Sequence, residues 1–284
     1  MIPIPARHVF ASRPARAILI VLAATTVALS AAQAEMTPWA TNEGGRMRLL
    51  ALPPASDGTV RGALQIEPNP GWMTYWKEPG DAGIPPQLTL QQEGGVTLKQ
   101  LAYPVPKRID NGDLRDIGYD HAVTLPFELK VEDVTKPVKL GVSAFVGLCR
   151  NICIPFQADF ALNLAEDGAT PVEEAMLLAA AETKLPEKPS EDFALTDHSL
   201  VGSDVLWLKF RLPEAAKATP PQVFVTGPEG HAFFDSRNEQ REGDQYALEI
   251  PIEKLPKGYD ISGKRWGILV VAGNRSMETS LAFD

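Results

Sequence analysis

Cys149 and Cys153 are the only two cysteines in the 284-residue chain, and their spacing constrains the fold more than any other feature. On a straight strand, residues four positions apart lie about 13 Å from one another. A disulfide needs Cα atoms within about 7 Å. A bond between these two therefore requires the chain to turn. Arg150-Asn151 can occupy that turn, and Pro155 helps to end the irregular stretch. Two cysteines also exclude a disulfide-dense scaffold and a four-cysteine zinc site.

The composition, 44% hydrophobic and 22% charged, is that of a globular protein. It fits neither a disordered chain nor a polytopic membrane protein. A net charge of −9 argues against a nucleic-acid binder, which needs a basic patch for phosphates. At the N-terminus, Arg7, Arg13 and Arg16 precede an apolar run from Ala17 to Leu29, followed by Ala32-Gln33-Ala34. This is the pattern of a secretory signal peptide cut after Ala34. The apolar run falls short of the roughly 20 residues that span a bilayer. The expectation is export to a periplasm with no membrane insertion after cleavage. The remaining chain carries 24 basic and 36 acidic residues, in a compartment that permits disulfides.

The rest reads as all-β in two parts. Short apolar runs broken by Pro and Gly occupy Gly62–Ile66, Gln87–Leu90, Val123–Val131, Val138–Val146 and Phe156–Leu164. Strands at this spacing suggest a sandwich. Thr170-Pro171-Val172-Glu173 has the form of a helix start, with Thr170 as cap and Pro171 in the first turn. Ala-rich sequence follows to about Lys184, then a proline-containing linker, Leu185 to Glu191. Beyond it, Val205–Leu212, Gln222–Thr226, Tyr246–Ile252, Trp266–Ala272 and Met277–Phe283 read as strands, with a Gly273-Asn274 hairpin turn. The expected organisation is signal peptide 1–34, first β domain 35–166, helix and linker 167–191, and a second, smaller β domain 192–284.

Three chemistries compete for the cysteine pair. A structural disulfide closing so short a loop gains only about 2 kcal/mol, in a chain whose cores are already large. A tight, exposed disulfide suits exchange, with Arg150 as a nearby cation favouring a thiolate. A soft-metal site is the third, with two thiolates and a methionine such as Met73 holding Cu(I). His121, His198 and His231 are scattered and offer no ligand spacing beside the pair.

Three further segments bear on the choice. They are Pro70-Gly71-Trp72-Met73-Thr74-Tyr75-Trp76-Lys77-Glu78-Pro79-Gly80-Asp81-Ala82-Gly83, then Tyr103-Pro104-Val105-Pro106-Lys107-Arg108, then Asp116-Ile117-Gly118-Tyr119. In that order, ahead of Cys149 to Pro155, they resemble the N-terminal periplasmic domain of DsbD-type thiol:disulfide interchange proteins. The similarity is closest to the branch with the suppressor-of-copper-sensitivity B proteins, and covers about Thr37 to Leu164. The resemblance implies an immunoglobulin-like β-sandwich with Cys149 and Cys153 as the redox pair. It implies a cap loop at Asp116, Ile117, Gly118 and Tyr119. It also implies an active-site surround of Trp72, Tyr75 and Trp76, to which Arg150 and Pro155 are added as neighbours of the pair. The best-known members have more residues between the two cysteines than the three here, and they carry a membrane domain and a thioredoxin-like domain that this sequence does not show.

The expectation is therefore a periplasmic protein-disulfide oxidoreductase module with no cofactor or resident metal. Its partners would be a thioredoxin-like or membrane-linked electron donor on one side and oxidised periplasmic thiol proteins on the other. Cytochrome c maturation, copper tolerance and isomerase recycling are the candidate client processes. The alternative is a non-catalytic binding module with a structural disulfide, or a Cu(I)-binding protein.

Overall fold

The structure, a computed structural model, describes residues 1, 36–80, 83–91, 95–111, 114–136, 138–164, 172–216, 219–228, 231–252, 255–256 and 258–283. The expected signal peptide after Met1 and the Thr170-Pro171 helix start lie outside these residues.

The first part is a β-sandwich built from β1 (Ala40–Thr41), β2 (Gly45–Ala51), β3 (Thr59–Pro68), β4 (Met73–Gly80), β5 (Gln87–Leu90), β6 (Val96–Leu101), β7 (Lys107–Asn111), β8 (Leu114–Tyr119), β9 (Val123–Val131), β10 (Val138–Cys149) and β11 (Cys153–Leu164). One sheet has the order β1-β2-β3-β9-β6. The other has the order β11-β10-β4-β8-β7, with β5 also paired to β10. This is an immunoglobulin-like arrangement with the core between the two sheets.

Strand β10 shows why the layers form. Val138, Leu140, Val142, Ala144, Val146 and Leu148 alternate with more exposed residues and are all buried in the core. That period of two points one face at the other sheet. From Val146 to Cys149 the alternation stops and both faces are buried. Something covers the outer face of the sheet at that end, and the disulfide sits there.

Helix α1 (Val172–Glu182) follows. Its Leu178 is fully buried against Leu50, Leu52 and Ala63, and Arg61 pairs with Glu182. The proline-containing stretch from Leu185 to Glu191 is anchored to the second sandwich. Glu187 donates its N–H to the Ser276 carbonyl and accepts one from Glu278, and its carboxylate pairs with Arg275. Backbone groups that find strand partners leave little freedom.

The second sandwich comprises β12 (Ala194–Val201), β13 (Val205–Arg211), β14 (Gln222–Thr226), β15 (Ala232–Phe233), β16 (Arg237–Glu242), β17 (Gln245–Pro251), β18 (Arg265–Ala272) and β19 (Arg275–Ala282). Its sheets run β12-β13-β17-β16 and β15-β14-β18-β19, around a core that includes Phe193, Phe210, Leu248 and Trp266. The two sandwiches share packing. Phe224, Phe234 and Leu269 of the second belong to the core cluster of the first, and Lys77 pairs with Glu278. Lys77 therefore lies in a strand and at the seam between the sandwiches.

Candidate redox site

Strands β10 and β11 form one continuous hairpin, in register from Val138 opposite Leu164 to Cys149 opposite Cys153. The turn is Arg150-Asn151-Ile152, where the Arg150 N–H donates to the Ile152 carbonyl. This brings the two Cα atoms to 4.1 Å, and the cysteines are disulfide-bonded. The expected turn is present, but it is shorter than the expected irregular stretch. Both cysteines and Pro155 lie inside the strands. Pro155, opposite Gly147, is exposed on the edge strand β11, where a missing N–H costs no ladder bond.

The two sulfurs live in different surroundings. Cys149 is 2% exposed and clusters with Met73 and Tyr75, with Ile109 packed against them. Cys153 is exposed, and Ile152 beside it is an exposed large apolar side chain at 66%. The same register explains the neighbours. Met73 pairs with Cys149 and Thr74 with Leu148, so Met73, Tyr75 and the cysteines share the outer face while Thr74 and Trp76 point inward.

Tyr75 is the polar group of the site. Its hydroxyl donates to Cys153 Sγ at 3.3 Å. Burial first, and then the charge of Asp116, push its pKa up to about 12. The group is thus a neutral donor near neutrality. Two glycines make room for the ring. A Cβ on Gly83 would lie 2.4 Å from the ring's Cδ1, and one on Gly147 would lie 2.8 Å from Ile84 Cβ and 3.2 Å from Tyr75 Cδ2. Gly83 closes the aromatic segment and Gly147 stands two residues before Cys149, yet only the fold shows that they flank one ring.

The segment before β4 is fixed by a turn. The Trp72 N–H donates to the Asn69 carbonyl at 2.8 Å, and Gly71 has φ of 78°. Pro70 then Gly71 at the two central positions fits a type II turn. Trp72 is buried, and the Arg150 guanidinium carbon lies 5.2 Å from its ring centroid. Trp72, Tyr75 and Arg150 thus gather at the hairpin end. Trp76 does not. It is 1% exposed on the inward face, 6.0 Å from the Phe224 ring of the second sandwich.

The expected cap loop is corrected. Asp116, Ile117, Gly118 and Tyr119 form strand β8, paired with β4 and β7. Asp116, Ile117 and Tyr119 are 2%, 0% and 1% exposed. Gly118 lies so close to β4 that a Cβ would meet the Thr74 carbonyl at 2.1 Å, and the Tyr119 hydroxyl donates to the Pro104 carbonyl. The sheet claims these residues because their backbone groups find ladder partners on both sides. The apolar side chain that the hairpin packs against the Met73, Tyr75 and Cys149 cluster is instead Ile109, on β7. Its only signal in the sequence was one apolar residue amid polar ones in Lys107-Arg108-Ile109-Asp110.

Among the described residues, no group of three or more His, Cys, Asp or Glu gathers as a metal site. His121 contacts Asp120, and His198 bonds the Ala282 carbonyl. No helix among the described residues is long and apolar enough to cross a membrane.

Residues 46–165 match the family of the N-terminal region of the thiol:disulfide interchange protein DsbD. The fold is similar to the crystal structure of the N-terminal periplasmic domain of ScsB from Proteus mirabilis, with a TM-score of 0.68 and 24% identity over 88% of this chain and 98% of that one. No curated protein sequence matches.

Proposed function

We propose that a chain with a DsbD-type N-terminal domain over residues 46–165 works as a periplasmic thiol–disulfide exchange module. The observation that carries the reading is the asymmetry of the disulfide, with Cys153 exposed beside a hydroxyl donor and Cys149 enclosed. A partner thiolate attacks Cys153 Sγ. The S–S bond breaks, and its electron pair leaves on Cys149 Sγ, which takes up the proton released when the partner thiol ionised. A second partner thiol then attacks the mixed disulfide and releases Cys153 as a thiolate, which the Tyr75 hydroxyl solvates. The partner dithiol becomes a disulfide, and this pair becomes a dithiol. Against an oxidised client the same steps run in reverse.

The direction proposed is reductive, from a thioredoxin-like or membrane-linked donor toward oxidised periplasmic thiol proteins. Cytochrome c maturation and copper tolerance are the processes such clients would serve. The test uses a thioredoxin-like protein that lacks its resolving cysteine and whose remaining sulfur is activated as a mixed disulfide with thionitrobenzoate, which leaves when the variant's thiolate attacks. Cys149→Ala is expected to form a mixed disulfide through Cys153, and Cys153→Ala is not. A reduction potential below about −300 mV, with no mixed disulfide from either variant, would sink the exchange reading, whereas one near about −200 mV suits it.

The contact of Met73 with Cys149 favours one second reading, a Cu(I) site on the reduced pair with Met73 as third soft donor. A Cu(I) competition titration decides it. Affinity that does not fall in Met73→Leu removes the reading.

A further inference from the structure

The β7–β8 hairpin has two faces. On the outer face, Ile109 lies against the Cys149 cluster, and its cross-strand neighbour is Asp116. On the opposite face, Arg108 and Arg115 reach the second sandwich. Their guanidinium carbons lie 4.3 and 5.1 Å from the centroid of the Phe234 ring. Both pair with the Asp235 carboxylate, Arg108 at 3.3 Å and Arg115 more closely. Phe234 and Asp235 occupy the connection between β15 and β16.

Within its own sheet this hairpin is weakly held. Strand β7 is the edge. Strand β8 pairs with β4 at Thr74–Tyr119, Tyr75–Gly118 and Gly80–Asp116, with the register broken in between. An edge strand keeps one row of backbone groups free of the ladder, so side-chain anchors matter more there. The anchors come from the other sandwich.

We propose that the second sandwich is a positioning clamp for the redox site. Phe234 and Asp235 hold the β7–β8 hairpin so that Ile109 keeps water from Cys149. The proposal rests on the exchange reading, in which Cys149 is the departing sulfur. An enclosed thiol is held protonated by its apolar surroundings, which slows adventitious thiols. The clamp thus turns packing between sandwiches into control of one sulfur.

The experiment measures iodoacetamide alkylation against pH in the reduced full chain. Cys153→Ser reports Cys149, and Cys149→Ser reports Cys153. Each is combined with Asp235→Ala, and separately with Arg115→Gln in case the first variant folds poorly. Opening the cover is expected to lower the pKa of Cys149. Each unit gives about tenfold more thiolate at neutral pH, offset by weaker nucleophilicity to a net rise of about threefold. Cys153 should keep its profile, and Asp235→Glu should restore that of Cys149. An unchanged Cys149 profile in both variants overturns the proposal, as does an equal acceleration of both cysteines. Alkylation needs no partner, so the clamp and the exchange reading can fail separately.

Discussion

Replacing Tyr75 by Phe removes one oxygen and leaves the ring between Gly83 and Gly147. The lost interaction is the hydroxyl's bond to Cys153 Sγ at 3.3 Å. In the disulfide that sulfur is a weak, neutral acceptor. In the dithiol state its thiolate is a charged one, so the bond favours the reduced form. A hydrogen bond to a charged group contributes about 1.5–3 kcal/mol, and the exposure of Cys153 puts this one at the low end. About 1.4 kcal/mol corresponds to one pKa unit, or about 30 mV for a two-electron couple. Tyr75→Phe is therefore expected to raise the Cys153 pKa by about one unit and to lower the reduction potential by up to about 30 mV. The potential difference is present where the thiolate is populated and fades as pH falls below the thiol pKa. At the alkaline end Tyr75 itself titrates only at about 12, because burial and then Asp116 disfavour its anion. The assays are alkylation against pH in a Cys149→Ser background and equilibration with glutathione. A Cys153 pKa and a potential both unchanged in Tyr75→Phe would refute the reasoning.

Gly147→Ala should place a Cβ 2.8 Å from Ile84 Cβ and 3.2 Å from the Tyr75 ring. The expected result is a loss of about 1–3 kcal/mol in denaturant unfolding, together with the Cys153 shift seen in Tyr75→Phe. Trp76→Ala removes a buried ring packed on Phe224 and should cost about 3–5 kcal/mol while leaving Cys153 alkylation unchanged, since Trp76 faces away from the sulfurs. Hydrogen bonds from His121 first, and then Lys107, hold the Asp120 carboxyl at about 2 against its ordinary 3.8. A depressed carboxylate pKa adds stability above its unfolded value and loses it as pH falls through the folded one. Asp120→Asn should therefore flatten the stability profile between about pH 4 and pH 2, as measured by urea midpoints.

Much of the sandwich was legible because it rests on local pattern. Gln87–Leu90, Val123–Val131 and Gln222–Thr226 form strands with the expected bounds, since alternating or apolar runs between Pro and Gly leave few other conformations. Strands β7, β8 and β16 were not legible. The polar residues of β7 and β16 carry no apolar period, and ladder pairing, of β7 with β8, of β8 also with β4, and of β16 with β17, makes them strands. The aromatic segment was found as a group but not sorted. Only the strand register sends Tyr75 outward to the sulfur and Trp76 inward to Phe224.

The sequence by itself determined that the chain is all-β, that its two cysteines need a turn between them to bond, and that these 284 residues hold no third cysteine. These follow from side-chain period, bond geometry and counting, all of which are local. Tertiary structure decided what the pair can do. It exposed Cys153 and enclosed Cys149, set the Tyr75 hydroxyl on one sulfur, and turned the expected cap loop into a strand. It also tied the β7–β8 hairpin to the second sandwich through Phe234 and Asp235. Those outcomes depend on which strands become neighbours, and neighbours separated by tens of residues to more than a hundred are chosen by packing rather than by local pattern.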